Sequence, residues 1–157
     1  MMQTVTIAPI RRMMHVDLPQ AKAFDLFARG IDRWWPRTHH VGPSPMKASV
    51  VEPFVGGRWY HLCEDGSEKN FGHVLVWQAP ERLTLGCEVN CDFDYDPETV
   101  TEVDVHFIAE GAERTRVEFE HRNIDRLGDG AETFRGKVDG GWATVLDSFV
   151  KSANSAR

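Results

Sequence analysis

His121 is the residue of this chain whose type and position most invite chemistry. It ends a run in which Thr115, Val117 and Phe119 alternate with Arg116, Glu118 and Glu120. Alternation puts it on the apolar face, where a polar ring is costly without a partner. It reads as a histidine bonded to a neighbour or set at a sheet rim. The competing reading is a donor or general base aimed into a cavity, with His61 or Glu64 as the second polar group. Trp34-Trp35-Pro36 reads as a plug that holds short helices to a sheet. Neighbouring helical residues point about 100° apart, so one indole enters the core and the other faces a cavity mouth or solvent, where it could wall a flat ligand. His39-His40 follows in a Pro- and Gly-rich loop, as exposed histidines or as guards of an entrance.

Trp59, His61 and Cys63 share one strand face, because every second side chain points the same way. With His121 they offer zinc-type ligands, but Cys-x-x-Cys pairs are absent, and Cys87 and Cys91 are spaced wrongly for a knuckle or redox dithiol. No metal or cofactor is therefore expected. Asp92, Asp94, Asp96 and Glu98 resemble the start of a calcium loop, yet Pro97 stands where glycine is required and Val103 where glutamate is. No Lys or Arg lies between Arg82 and Arg114, so this segment predicts an acidic, solvated loop. A Gly-x-Ser-x-Gly elbow, a phosphate loop and a dinucleotide fingerprint are all missing.

The elements that must position these residues follow from periodicity. Ile10–Val16 predicts a strand, and Asp17-Leu18-Pro19 a helix start with Asp17 or Leu18 at the cap and Pro19 in the first turn. Leu18, Ala21, Phe24, Phe27 and Ile31 recur at helical spacing, with Gly30 as a stop. A second short helix, Ile31–Trp35, ends before Pro36. Ala48–Phe54, Arg58–Glu64, Gly72–Trp77, Val103–Ile108 and Thr115–His121 predict strands divided by turn residues, in an antiparallel sheet with one wet and one covered face. Phe134, Val138, Trp142, Val145, Leu146, Phe149 and Val150 form the stripe of a long final helix, which must lie on that covered face. The class is α+β: a strand, two short helices, about six strands, one long helix.

The 157 residues bound this to one domain, 1–157, large enough to bury a core without staples. Eighteen basic against 24 acidic residues leave a net charge of −6, which argues against nucleic-acid or anionic-membrane partners. No apolar run approaches the roughly 20 residues of a membrane span. The start reads as mature chain, and three cysteines without metal spacing suit a reducing cytoplasm.

Five ordered landmarks carry a resemblance. They are Asp17-Leu18-Pro19 with Phe24 and Phe27, then Gly30-Ile31 leading to Trp34-Trp35-Pro36. Glu52-Pro53 with Gly56-Gly57-Arg58-Trp59 comes next, and then Asp65-Gly66 with Gly72-His73-Val74 and Pro80-Glu81-Arg82-Leu83. Thr101-Glu102-Val103 and Gly141-Trp142 close the series. Over essentially its whole length the chain resembles the bacterial Hsp90 ATPase activator homologue 1-like family of the START-like, Bet v 1-like (SRPBCC) superfamily. The resemblance implies a helix-grip fold, a curved seven-stranded antiparallel sheet around the long C-terminal helix, with a cavity between them. It implies a small-molecule binding protein whose ligand is apolar or aromatic. The candidate lining is Trp35 and His39 after the short helices, Trp59 and His61 on a strand, Phe107, Phe119 and His121 on the last hairpin, and Trp142 on the final helix. Two alternatives stay open: a polyketide cyclase- or dehydratase-like enzyme using a cavity histidine, and a co-chaperone-like interaction module. A homodimer also stays open, whereas an Hsp90 partner is not expected, since the activator's N-terminal domain has no counterpart here.

Overall fold

A computed structural model describes residues 6–39 and 44–155. His40, one of the two candidate entrance histidines, lies outside the described residues. The chain runs β1 (Ile10–Val16), α1 (Gln20–Ala28), α2 (Ile31–Trp34), β2 (Met46–Val51), β3 (Arg58–Cys63) and β4 (Glu68–Gln78). It continues through β5 (Arg82–Cys87), β6 (Thr101–Ala109), β7 (Thr115–Arg122), a short 3-10 turn at Ile124–Leu127 and α3 (Ala131–Ser155). The seven strands form one antiparallel sheet in the order β1-β7-β6-β5-β4-β3-β2. The sheet curls into a half-barrel, and α3 closes it.

Local chemistry moves some boundaries from those the sequence predicts. The first helix starts at Gln20, with Pro19 at its cap at φ −57° and ψ 150°. The Pro19 carbonyl accepts the Ala23 N–H at 2.9 Å, so the proline stands outside the helix rather than in its first turn. β2 ends at Val51, because Glu52 to Gly57 fold into a turn: the Glu52 side chain accepts the Arg58 N–H at 2.7 Å, and the Phe54 carbonyl that of Gly57 at 2.9 Å. β4 begins at Glu68, four residues ahead of its expected start.

The core lies between the concave face of the sheet and the helices. Phe24 and Phe27 from α1 meet Phe107 of β6 at ring separations of 5.2 and 5.6 Å. Phe149 of α3 reaches Phe27 at 5.0 Å and Trp34 at 5.1 Å. Each such pair adds about 0.5–1.5 kcal/mol beyond the area it buries. The outer face does not follow simple alternation. Asp104 of β6, expected on the wet side, is only 4% exposed. Arg82 (2.9 Å) and Thr84 (2.7 Å) from β5 and Arg122 (2.8 Å) from β7 donate to its carboxylate, and His106 lies 3.0 Å away. Burial pushes the Asp104 carboxyl up, but the bonds from Arg82, Thr84, Arg122 and His106 outweigh it and hold the group well below the usual carboxylate range.

Candidate functional site

The part of α3 from Phe134 to Val145 faces Trp59 of β3, Phe71 of β4 and His121 of β7. There a hollow of about 290 Å³ remains between helix and sheet. Helical spacing explains the side α3 gives to it: Phe134, Val138, Gly141 and Val145 follow one another by three or four positions along the wall, and Trp142 stands beside Gly141. Trp59 and Phe71 come from β3 and β4 and stack at 5.3 Å with planes 27° apart. Cys87 ends β5, and Val89 and Phe93 belong to the segment after it.

Trp34 and Trp35 diverge because α2 ends between them. Trp34 is helical and buried against Phe27, with its indole N–H on the Leu26 carbonyl at 2.9 Å. Trp35, held extended before Pro36, turns into the wall of the hollow. Its indole N–H donates to the His39 carbonyl at 2.7 Å and so ties down the following loop. His39 itself borders the hollow, its Nδ1 2.9 Å from the Thr38 hydroxyl.

His121 also borders the hollow, yet both of its ring nitrogens are engaged. The Trp142 indole N–H donates to Nδ1 at 3.0 Å. An indole can only donate, so Nδ1 carries the lone pair and Nε2 the hydrogen. Nε2–H then donates to the Thr101 hydroxyl at 2.7 Å. Thr101 in turn hydrogen-bonds the Cys87 thiol. Burial pushes the His121 pKa down to about 4, so the ring is neutral at pH 7. Burial pushes the Cys87 thiol up to about 11, which keeps it protonated and poorly nucleophilic. The chain Trp142–His121–Thr101–Cys87 thus ties α3, β7, β6 and β5 together with no charge on any member.

Of the candidates drawn from sequence, Trp35, His39, Trp59, His121 and Trp142 come together around the hollow. His61, Phe107 and Phe119 do not. His61 packs its ring on Phe71 (4.4 Å) and Trp35 (5.3 Å), behind the wall. Phe107 belongs to the Phe24–Phe27 cluster, and Phe119 lies 4.8 Å from Trp142. Glu64, the other candidate partner, is exposed beyond the end of β3. Sequence reasoning missed Phe71, Cys87, Phe93 and Lys137 in the wall. Lys137 was accessible by helical arithmetic, three residues after Phe134. Phe93 was not, because it sits in an irregular turn at φ 63°. That turn also explains the acidic run: the Asn90 side chain accepts the N–H groups of Asp92 (2.9 Å) and Asp94 (3.1 Å). Among the described residues no group of three or more His, Cys, Asp or Glu is placed to hold a metal ion. Nor is any helix among them long and apolar enough to cross a membrane.

A curled seven-stranded antiparallel sheet gripping a long terminal helix over a side-chain-lined hollow defines a helix-grip protein. Comparison with solved structures narrows the class. The anthrahydroquino-γ-pyrone synthase Txn09, solved as a complex, is 30% identical over 93% of this chain and 97% of its own, with a TM-score of 0.67. CalC, a self-sacrificing resistance protein from Micromonospora echinospora, is 31% identical over 94% of both chains, with a TM-score of 0.72. The chain belongs to the SRPBCC/START-like superfamily. An Aha1 dimer from Colwellia psychrerythraea, 14% identical over 94% of this chain and 97% of its own at a TM-score of 0.65, bears on the fold alone. The membership shown is therefore that of the superfamily, and the narrower Hsp90-activator-like resemblance is not carried further. No family model matches the sequence, and no curated protein does.

Proposed function

We propose that this protein binds an apolar or aromatic small molecule in the hollow between its sheet and α3. One observation carries the reading: a hollow of about 290 Å³, open to solvent beside Thr38 and Lys137, lies between sheet and α3, and aromatic rings wall it. Apolar wall left facing water is unfavourable by roughly 25 cal/mol per Å², so a ligand that covers it is favoured. The volume stands at the small end of ligand sites, roughly 300–1,000 Å³. Three of the chain's five tryptophans stand in the wall, which makes intrinsic fluorescence a direct reporter.

The test is a thermal-shift screen of compact aromatic compounds, followed by tryptophan quenching. A ligand present at 100 times its Kd stabilises by about 2.7 kcal/mol, a rise of about 5–10 °C for a domain of this size. Val138→Trp, which fills the hollow from α3, should abolish both signals. Hits that survive Val138→Trp, or a diverse library that yields none, would overturn the proposal.

The similarity to a synthase favours a second reading, an enzyme that converts what it holds. Against His121 as its base stands the geometry: Nδ1 already accepts the Trp142 N–H, and Nε2 carries a proton committed to Thr101. A base at Nδ1 would first have to release Trp142. Binding therefore ranks ahead of catalysis. The enzyme reading predicts turnover that His121→Gln removes while ligand affinity persists.

A further inference from the structure

The walls of the hollow are one-sided in charge. Lys137 is the only formally charged side chain among the described residues that line it, and none of them is Asp or Glu. This contrasts with a chain that has 24 acidic residues against 18 basic ones. Lys137 is also unpaired among the described residues, unlike its neighbours on α3. Arg135 donates to the carbonyls of Ala8 (2.6 Å) and Pro9 (3.1 Å), and Asp139 pairs with Arg12. Those two residues turn the helix's opposite flank towards β1 and its N-terminal lead-in, which leaves Lys137 on the flank that borders the hollow.

The polar atoms are distributed unevenly along the hollow. Lys137 and Thr38 are exposed, and His39 beside them is half-buried. Further in, the polar side-chain groups of the described wall residues are paired, except for the buried Trp59 indole N–H. The Trp35 N–H is on the His39 carbonyl, the Trp142 N–H on His121, and both nitrogens of His121 are occupied. The Trp59 N–H, the one open polar group there among the described residues, is a neutral donor, so an anion carried inward would lose its water for a single bond. A polar group at the Lys137 end would keep solvent contact and gain a cation.

Resting on the ligand-binding reading above, we infer that the hollow takes a compact aromatic compound with one acidic group, a carboxylate, sulfonate or phenolate. The rings point inward between Trp35, Trp59 and Trp142, and the anion sits at Lys137. The aromatic walls favour flat rings over an alkyl chain, because offset and edge-on ring contacts add to area burial.

A matched pair of fluorescent probes tests this. 8-Anilinonaphthalene-1-sulfonate and N-phenyl-1-naphthylamine share their rings and differ by the sulfonate. Folded wild-type protein should bind the sulfonate up to about fivefold more tightly, the upper scale of an ion pair with an exposed cation. Lys137→Gln should remove that preference and leave the neutral probe unchanged, Lys137→Glu should reverse it, and Lys137→Arg should keep it. Lys151→Gln, on the distal part of α3, serves as the charge control and should change nothing. Both probes should be lost in Val138→Trp. Equal binding of the two probes, or a preference that survives Lys137→Gln, overturns the anion assignment and leaves the binding site standing. Failure of both probes to bind, or binding that persists in Val138→Trp, overturns the binding reading and the anion assignment with it.

Discussion

His121 shows how a residue can look catalytic in sequence and be structural in its bonding. Its two nitrogens bridge α3 and β6, and burial holds its pKa at about 4 against an ordinary 6.5. The sign of the consequence is fixed. As pH falls below 6.5 the unfolded chain protonates this ring, while the folded protein does not until about 4. The unfolded state binds more protons in that window, so stability is full above pH 6.5 and declines towards pH 4, by about 3 kcal/mol. Urea midpoints between pH 7 and pH 4 should follow this decline in the wild type and flatten in His121→Gln. In NMR titration the His121 ring should stay neutral through pH 5; a midpoint near 6.5 would disprove the buried, bonded geometry.

At the scale of elements, two glycine settings make opposite predictions. Gly72 of β4 lies against β5 so closely that an added Cβ would stand 1.6 Å from the Gly86 carbonyl oxygen. Backbone cannot yield as a flexible side chain can. Gly72→Ala should cost about 3 kcal/mol or prevent folding, and it should spread the strands that carry Phe71 and Cys87. The long helix behaves the other way. Gly136 and Gly140 are exposed in α3, and a Cβ at either would meet nothing within 4 Å. Each helical glycine costs about 1 kcal/mol relative to alanine, so Gly136→Ala and Gly140→Ala should each stabilise by up to that amount in urea denaturation. A loss of stability at either position would mean that the helix packs against something there.

For the whole molecule, acid should act in two stages. The His121 window comes first. The Asp104 hub comes second: its carboxylate is held ionised by Arg82, Thr84, Arg122 and His106 against the cost of burial, so its contribution is full above 3.8 and is lost only below it. Asp104→Asn should cost about 2 kcal/mol at pH 7, less than a fully buried ion pair because both arginines are partly solvated. It should also remove the steeper fall in stability below pH 3.8. An unchanged acid limb would show that the hub does not hold β5, β6 and β7 together.

The fold was legible because it rests on local rules. Period-two runs at Val103–Ile108 and Thr115–His121, the 3.6-residue stripe from Phe134 to Val150 and the turn glycines each act within a few residues, and an antiparallel sheet with a long helix on its covered face follows from them; β5 (Arg82–Cys87) has no such alternating run, and the seven-stranded grip rested on the family resemblance. The site was legible only in part, because a hollow is a relation among elements distant in sequence. Alternation placed Trp59, His61 and His121 on the concave face alike, but only the curl of the sheet separates Trp59 and His121, which border the hollow, from His61 behind its wall. Likewise, sequence located a histidine on an apolar face, whereas the approach of Trp142 from a helix 21 residues on decided which nitrogen holds the proton. Periodicity depends on backbone geometry and can be read one segment at a time. Cavities, hydrogen-bond partners and shifted pKa values depend on where separate segments meet, and that is settled only when the whole chain packs.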